Sequence, residues 1–199
     1  MDTQKQVRSN TKFHDPGNKL GRGTWHNKRN RANPDPNAST DNSAKTHFFG
    51  KLLISTELSR AIAQIGYENP TPIQESVIPL IKEERDVVGQ AQTGTGKTAA
   101  FGIPITEMVD QNKQGIQALI LVPTRELALQ VEAELGKLGK FKKVKTTPLY
   151  GGQPILPQIK ALNQNPSIIV ATPGRLLDHM ERKTVDLSTL KIVVLDEAD

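Results

Sequence analysis

Residues 86–98 read Asp-Val-Val-Gly-Gln-Ala-Gln-Thr-Gly-Thr-Gly-Lys-Thr, and the interpretation of the whole chain starts from them. The apolar beginning, Asp86–Gly89, predicts a short β-strand, and the pattern that follows predicts a helix from Lys97. Between them lies a turn rich in glycine and threonine. A strand, a glycine-rich turn and a helix, in that order, are the setting in which many proteins bind phosphate groups.

The turn has the composition that phosphate binding requires. Gly94 and Gly96 have no Cβ, so backbone N–H groups can approach phosphate oxygens at the positive end of the helix. Lys97 can neutralise the β- and γ-phosphates, and the Thr98 hydroxyl can ligate Mg²⁺. Ala91 replaces the usual first glycine, but the Lys-Thr pair argues against an ordinary Gly/Thr turn. The predicted nucleotide-binding residues are Gln92, Thr93, Gly94, Thr95, Gly96, Lys97 and Thr98.

Outside this stretch, short apolar segments alternate with segments of helical periodicity. Before the turn, Ser55 is expected to cap a helix that carries Leu58, Ile62 and Ile65 and ends at Gly66, and a second helix runs from Ile73 towards Ile81. Further strands are predicted at Ala118–Val122, Lys145–Leu149, Ile168–Ala171 and Lys191–Leu195, and helices at Lys97 onwards, Arg125–Leu138, Ile155–Leu162 and Arg175–Glu181. This alternation predicts an α/β fold, a parallel sheet covered by helices on both faces.

The last predicted strand ends in two carboxylates, Asp196 and Glu197. In enzymes with a phosphate-binding loop, such a strand places its first acid at the magnesium ion, and an adjacent acid can deprotonate the attacking water. We therefore predict that Asp196 binds Mg²⁺ together with Thr98. Glu197 is predicted to be the general base, and with Lys97 these acids form the expected catalytic set. An acid pair after a strand is often only a solvated turn, so this prediction depends on the preceding loop.

The composition is that of a globular protein with a basic N-terminal segment. Residues 1–50 contain nine Lys/Arg and four Asp, which accounts for the whole net charge of +5. Residues 1–46 have few large apolar side chains and are expected to be a disordered basic tail. Such a tail could hold RNA through its phosphates or could only solubilise the protein. No apolar run is long enough to span a membrane, and the chain has no cysteine.

Taken together, the motifs resemble those of the DEAD-box RNA helicase family, over roughly residues 48–199. The motifs occur in the family's order: Phe49, the Q motif at Gly66–Gln74, motif I at Ala91–Thr98, motif Ia at Pro123–Ala128, the pair Gly151-Gly152, Thr172–Arg175, and Asp196-Glu197-Ala198-Asp199. The resemblance implies that residues 47–199 are an incomplete first RecA-like domain of an ATP-dependent RNA helicase, which uses ATP and Mg²⁺.

The resemblance also assigns roles to residues that composition alone would not single out. It implies that Gln74 recognises adenine, that the Phe49 ring stacks on it, and that Tyr67 belongs to the same nucleotide site. An amide suits this task because it both donates and accepts hydrogen bonds. Phe49 could equally be a core residue.

Three further motifs are implied to contact RNA. Each follows a predicted strand, so all lie at the carboxyl edge of the sheet, where open α/β folds bind ligands. The implied RNA-binding residues are Pro123, Thr124, Arg125, Gly151, Gly152, Thr172, Pro173, Gly174 and Arg175. Contacts of this kind position the phosphate backbone without reading bases, so largely sequence-independent binding is expected.

The family pattern continues beyond Asp199 with a Ser-Ala-Thr motif and a second RecA-like domain. The resemblance places the Ser-Ala-Thr strand between the strand of motif I and the strand of the acid pair. Without that strand, we expect the chain by itself to be marginally stable or prone to aggregation. The resemblance also implies that the second domain supplies the arginines that stabilise the transition state. Because an arginine finger typically contributes about 10³–10⁵ to the rate, we expect negligible ATPase activity and no unwinding from this chain.

Other functions are weighed against an RNA helicase. The chain could be a phosphate-loop ATPase of another class, a non-processive ATP-dependent RNA clamp or annealing protein, or an inactive truncated product. The Q motif and the Asp-Glu-Ala-Asp ending favour the helicase. RNA is the expected partner of a cytoplasmic monomer that does not bind membranes, with ribonucleoprotein, RNA-decay or ribosome-assembly factors as candidate protein partners.

Overall fold

A computed structural model of the chain describes residues 47–92 and 94–198. Its centre is a four-stranded parallel sheet built from β3 (Ala118–Leu121), β4 (Thr146–Leu149), β5 (Ile168–Ala171) and β6 (Ile192–Leu195). The strands lie in the order β4-β5-β3-β6, and β3 pairs in parallel with both β5 and β6. The predicted parallel α/β sheet is therefore confirmed.

Six helices accompany the sheet in the described part of the chain. They are α1 (Thr56–Ile65), α2 (Pro72–Lys82), α3 (Lys97–Met108), α4 (Arg125–Leu138), α5 (Ile155–Leu162) and α6 (Pro173–Glu181). The predicted bounds of α4, α5 and β5 and the predicted start of α3 are exact, and the predicted bounds of α2, α6, β3, β4 and β6 differ by one or two residues. Ser55 caps α1 by accepting a 3.3 Å hydrogen bond from the Leu58 N–H, and Gly66 ends it at φ 87°, as its sequence predicts.

Alternate residues of each strand pack on opposite faces of the sheet, as the pleat requires. On one face Ala118 and Ile120 belong to a buried cluster that includes side chains of α3 and α4. On the other face Leu119 and Ile169 pack with Leu176 of α6, and Leu162 of α5 borders that cluster. Helices therefore cover both faces of the sheet.

A hairpin before α1 was not predicted from the sequence. β1 (His47–Phe49) pairs antiparallel with β2 (Leu52–Ile54), and Phe49, Leu52 and Ile54 are buried. They share a cluster with side chains of α1, α2 and α3. Strands of three residues have too little periodicity to be recognised, and this hairpin depends on the helices beneath it.

The prediction of a strand at Asp86–Gly89 is wrong. Residues 86–92 form no strand, and the side chain of Val88 is fully exposed. A β-strand requires a neighbour that completes its backbone hydrogen bonds, and among the described strands none pairs with this segment. β6 is an edge strand, and Val193 and Leu195 are 54% and 63% exposed.

Some predictions concern residues outside those described. The basic tail at residues 1–46, Thr93 of the predicted phosphate loop and Asp199 are among them. Within the described residues no helix is both long and apolar enough to cross a membrane.

Candidate functional site

The phosphate-binding turn takes the backbone conformation that its glycines were expected to permit. Gly94 and Gly96 adopt φ of 79° and 83°, in the left-handed region that other residues rarely occupy. Gly96 is the N-cap of α3, so Lys97 and Thr98 begin the helix and stand beside its unpaired N–H groups. The Thr95 hydroxyl donates a 2.7 Å hydrogen bond to the carbonyl of Gln92 and braces the turn.

Gln74 contacts this turn directly. Its side-chain Nε2 donates a 3.1 Å hydrogen bond to the carbonyl oxygen of Gly96, and its Oε1 accepts a 3.0 Å bond from the Thr71 N–H. Gln74 is only 3% exposed, and a Cβ on Gly96 would overlap its amide nitrogen. The amide therefore links α2 to the phosphate turn, a contact that the sequence did not predict.

The acid pair lies at the end of β6, where the backbone N–H of Asp196 donates a 3.0 Å hydrogen bond to Leu121. Burial raises the pKa of Asp196 above its ordinary value of 3.8, the adjacent Glu197 raises it further, and Lys97 lowers it. The lysine of the turn and the first acid thus interact electrostatically. Glu197 is exposed and has φ of 52°, a strained conformation of a kind that often occurs at functional sites.

Phe49 and Tyr67 are not presented on an open surface beside the turn. The Phe49 ring is 3% exposed and packs in the cluster that contains Ile54 and Ile78. The Tyr67 hydroxyl donates a 2.9 Å hydrogen bond to Glu134 of α4. Burial, together with the charge and hydrogen bond of Glu134, raises the Tyr67 pKa to about 12. Both side chains are thus engaged in packing α1, α2 and α4.

The three motifs expected to contact RNA lie side by side. The ladder of backbone hydrogen bonds continues past the strands, since the Val122 N–H donates to Ala171 and the Thr172 N–H donates to Leu149. The loops after β3, β5 and β4 therefore form one row, with Asp196 next to them after β6. Lys97, the first residue of α3 after the phosphate turn, lowers the pKa of Asp196, which indicates that the turn lies near the acid pair.

Within this row, Arg125 and the glycine pair are neighbours. Thr124 caps α4 by accepting a 3.2 Å hydrogen bond from Leu127, which places Arg125 at the first helical position. The Arg125 guanidinium lies 4.9 Å from the centroid of the Tyr150 ring. A Cβ on Gly152, where φ is 80°, would lie 3.8 Å from the Arg125 Nη1. Pro123, Thr124, Arg125, Gly151, Gly152, Pro173 and Gly174 are exposed, and Thr172 is partly exposed.

Arg175 ties the loops after β4 and β5 together. Its Nη2 donates a 2.9 Å hydrogen bond to the carbonyl of Gln153, and its Nε lies 3.8 Å from Asp178. Its Nη1 is buried and has no partner among the described atoms. The guanidinium is therefore held between the two loops, with one buried donor left unpaired.

A buried polar chain supports the glycine pair from below, and the sequence did not predict it. Gln158 of α5 donates a 2.9 Å hydrogen bond to the Tyr150 carbonyl, and its Oε1 lies 3.2 Å from the His179 Nε2. The His179 Nδ1 lies 2.8 Å from the Thr184 hydroxyl. Burial and the nearby Arg175 lower the His179 pKa, which favours the neutral ring. A lone glutamine and histidine on two helices carry no sequence signal for such a contact.

The described residues contain no cluster of three or more His, Cys, Asp or Glu side chains that could hold a metal by itself. A metal at Asp196 would therefore need further ligands, such as the Thr98 hydroxyl and the oxygens of a bound nucleotide, which is how Mg²⁺ is usually held.

Comparison with known proteins identifies the family. Residues 71–199 match the family model described as DEAD/DEAH box helicase, which is well over half of the chain. The chain belongs to the DEAD/DEAH box helicase family. The match begins at the cap of α2 and includes the phosphate turn, the three edge loops and the acid pair, so the resemblance inferred from the motifs is confirmed.

Curated helicases from several bacteria are similar to the chain. It is 56% identical to the DEAD-box ATP-dependent RNA helicase CshA of Bacillus subtilis over 151 residues, covering 76% of this chain and 31% of the relative. The CshA protein of Limosilactobacillus reuteri is 57% identical over the same length, with coverage of 76% and 30%. The chain thus spans about a third of the length of the curated helicases that it matches.

Solved structures of the family confirm the RecA-like α/β fold. A DEAD box protein from the hyperthermophile Methanococcus jannaschii matches with a TM-score of 0.72 and 49% identity, over 77% of this chain and 42% of that one. A hypothetical ATP-dependent RNA helicase from Sulfolobus tokodaii matches with a TM-score of 0.66 and 42% identity, over 72% and 41%.

Proposed function

We propose that this chain is the nucleotide-binding and RNA-binding part of an ATP-dependent RNA helicase, an enzyme that couples ATP hydrolysis to RNA remodelling. One observation carries the proposal. The phosphate turn and the acid pair, joined by the interaction of Lys97 with Asp196, lie on the same sheet edge as three exposed loops that carry Arg125 and Arg175. Family membership supports the same function.

The nucleotide site is proposed to use the turn at residues 92–98. The left-handed Gly94 and Gly96 open the turn, so that backbone N–H groups and the start of α3 can receive phosphate oxygens. Lys97 supplies the compensating charge. Asp196 and the Thr98 hydroxyl would hold Mg²⁺, and their oxygen donors suit this ion. Bound Mg²⁺ would neutralise the charge that develops on the phosphates during transfer.

Glu197 is the proposed general base. It follows Asp196 directly and is exposed, so its carboxylate can orient a water molecule and accept its proton. The raised pKa of Asp196 reflects its partial burial beside a second carboxylate, and an added cation would favour its charged form. The two acids thus differ in environment, as their separate roles require.

Adenine selection is assigned to Gln74, and its present contacts define how it could act. The amide already bonds the Gly96 carbonyl, so a base that engages Gln74 would act on the phosphate turn through the same side chain. Gln74 and Phe49 are each 3% exposed, and Tyr67 bonds Glu134, so contact with a base would require local rearrangement at any of the three. We place Gln74 first among the adenine contacts because its amide directly adjoins the phosphate turn.

The three edge loops are proposed to hold the RNA backbone. Arg125 is exposed at the start of α4, Arg175 is partly exposed and positions the adjacent loop through the Gln153 carbonyl, and Gly151, Gly152 and Gly174 let the RNA approach the main chain. These groups offer donors to phosphate oxygens and no array that could read bases, so binding with little sequence preference is expected. A cytoplasmic monomer stays the prediction for location and assembly.

Nucleotide and RNA titrations test the proposal. A fluorescent ATP analogue should bind the chain with Mg²⁺, be displaced by ATP better than by GTP, CTP or UTP, and bind far more weakly to Lys97→Ala. Arg125→Gln should weaken binding to a labelled RNA. Lys183→Gln, at an exposed lysine outside every motif, is the matched control and should change neither. Equal binding of all four nucleotides, or an unaffected Lys97→Ala, would contradict the proposal.

A further inference from the structure

A run of basic residues lies outside the site described above. Residues 135–177 contain seven Lys or Arg and no Asp or Glu, and five of the seven lie between positions 137 and 145. This segment covers the end of α4 and the turn that leads into β4. Four of these lysines are exposed, namely Lys137, Lys140, Lys143 and Lys145.

Only one lysine of the run has a clear structural task. Lys142 is half-buried and donates a 2.8 Å hydrogen bond to the Thr106 carbonyl at the end of α3. The bonds recorded for the exposed lysines go to neutral groups, since Lys140 donates to the side chain of Gln64 and Lys145 to the carbonyl of Gln164, both at 3.0 Å. Across residues 47–92 and 94–198, none of these lysines forms a salt bridge.

An aromatic ring lies among these charges. The guanidinium of Arg60 on α1 lies 4.3 Å from the centroid of the partly exposed Phe141 ring, and the Lys140 ammonium lies 5.5 Å from it. Arg60 is exposed and, like the lysines, is in no salt bridge among the described residues. Cations interleaved with an aromatic ring are typical of surfaces that bind single-stranded nucleic acids.

This lysine surface is separate from the loops already assigned to RNA. Arg125 begins α4 and Lys137 lies in its last turn, so about 20 Å of helix separates them. Lys145 precedes β4, whereas the glycine pair follows that strand. A lysine in the last turn can compensate a helix dipole, but that effect fades within one turn and does not account for the four exposed lysines.

We propose that Arg60, Lys137, Lys140, Phe141, Lys143 and Lys145 form a second RNA-binding surface, which holds the phosphate backbone of a strand extending beyond the edge loops. The inference rests on the proposed RNA-binding function. The ligand is a polyanion that several exposed cations attract, and RNA is favoured because an aromatic ring lies among these cations. An RNA must span about 20 Å of helix to contact both surfaces.

The test compares two triple variants of the 199-residue chain. The first is Lys137→Gln/Lys140→Gln/Lys143→Gln. The control is Lys113→Gln/Lys183→Gln/Lys191→Gln, which removes the same charge from exposed lysines elsewhere and, like the first, includes one lysine with positive φ. Affinity is measured at several salt concentrations for an unstructured RNA of about three nucleotides, too short to span about 20 Å, and for one of about twenty nucleotides.

The first variant should weaken binding of the long RNA and leave the affinity for the short RNA almost unchanged. The slope of log K against log salt for the long RNA should become shallower by about 2, since the variant removes three lysines and each single-strand phosphate contact contributes about 0.7. In the control variant, affinity should increase with RNA length as much as it does in the wild type. Equal losses in both variants, or no loss in the first, would overturn the second surface, and so would binding of these lysines to anionic lipid vesicles without any effect on RNA. Arg125→Gln distinguishes failure of the second surface from failure of the proposed RNA-binding function. If Arg125→Gln weakens RNA binding and the lysine variant does not, only the second surface is refuted.

Discussion

The side-chain amide of Gln74 donates a 3.1 Å hydrogen bond to the carbonyl oxygen of Gly96, the residue that caps the phosphate-binding helix. The same amide accepts a hydrogen bond from Thr71, so one buried side chain joins α2 to the turn. The Q motif and motif I are thus in physical contact. Changes at Gln74 should therefore reach the phosphate turn as well as the base.

We predict that Gln74→Ala lowers the free energy of unfolding by about 1–3 kcal/mol, because the Thr71 N–H loses its partner and the Gly96 carbonyl loses one of its two hydrogen bonds. Gly96→Ala should also destabilise the chain, since its Cβ overlaps the Gln74 amide and its φ of 83° disfavours alanine. In the double variant the overlap is gone, so the cost of Gly96→Ala should be smaller than in the wild type. Urea unfolding of the wild type, the two single variants and the double variant measures this coupling. Strictly additive losses of unfolding free energy would show that the two residues act independently.

The titration of Asp196 should respond in opposite directions to its two charged neighbours. Lys97 lowers the pKa of Asp196 and Glu197 raises it, so Lys97→Gln should raise this pKa and Glu197→Gln should lower it. Carboxyl NMR titration of the two variants and the wild type checks both signs. A pKa that does not move in Lys97→Gln would mean that the lysine and the acid do not interact.

Asp196→Asn should stabilise the chain at neutral pH. Because the folded-state pKa is raised above 3.8, the charged carboxylate is disfavoured in the folded protein. This penalty is fully present at pH values above the folded-state pKa. It disappears as the pH falls below 3.8, where the group is protonated in both states. The stability difference between Asp196→Asn and the wild type should therefore shrink on acidification, and Asp186→Asn, at an exposed acid whose pKa is lowered, should give the opposite sign.

His179 should make the chain sensitive to mild acid. Its folded-state pKa lies below the ordinary 6.5, so the unfolded chain binds more protons between these two values and stability rises with pH across that interval. His179→Asn should remove this contribution to the pH dependence and, by weakening the support of the Tyr150 carbonyl through Gln158, should reduce RNA affinity more than ATP affinity. A variant with the wild-type pH profile would contradict the assignment of the titration to His179.

Tyr67 should ionise at an unusually high pH in an ultraviolet titration. Tyr67 has a pKa raised to about 12 by burial and by its contact with Glu134. Tyr67→Phe should remove the component that ionises near this value and cost about 0.5–1.5 kcal/mol of stability through the lost hydrogen bond. Glu134→Gln should lower the Tyr67 pKa, because the negative charge beside the phenol is removed. Tyr150→Phe is the control, and it should leave the high-pKa component in place.

The sequence by itself determined the elements whose signals are local. The bounds of α4 and α5, the caps Ser55 and Gly66, and the left-handed glycines of the phosphate turn follow from residue periodicity and backbone preference, which neighbouring residues encode. The order of the motifs was sufficient to recognise the family, because it is a property of the chain alone.

Only the tertiary structure decided what depends on a distant partner. Asp86–Gly89 has the apolar character of a strand, but no described strand pairs with it, whereas the three-residue strands β1 and β2 form because helices bury their inner faces. The contacts of Gln74 with Gly96 and of Gln158 with His179 join residues about twenty positions apart, and the burial of Phe49 depends on three helices. Hydrogen bonds and burial between separate elements exist only once the chain is folded, so no local pattern could predict them.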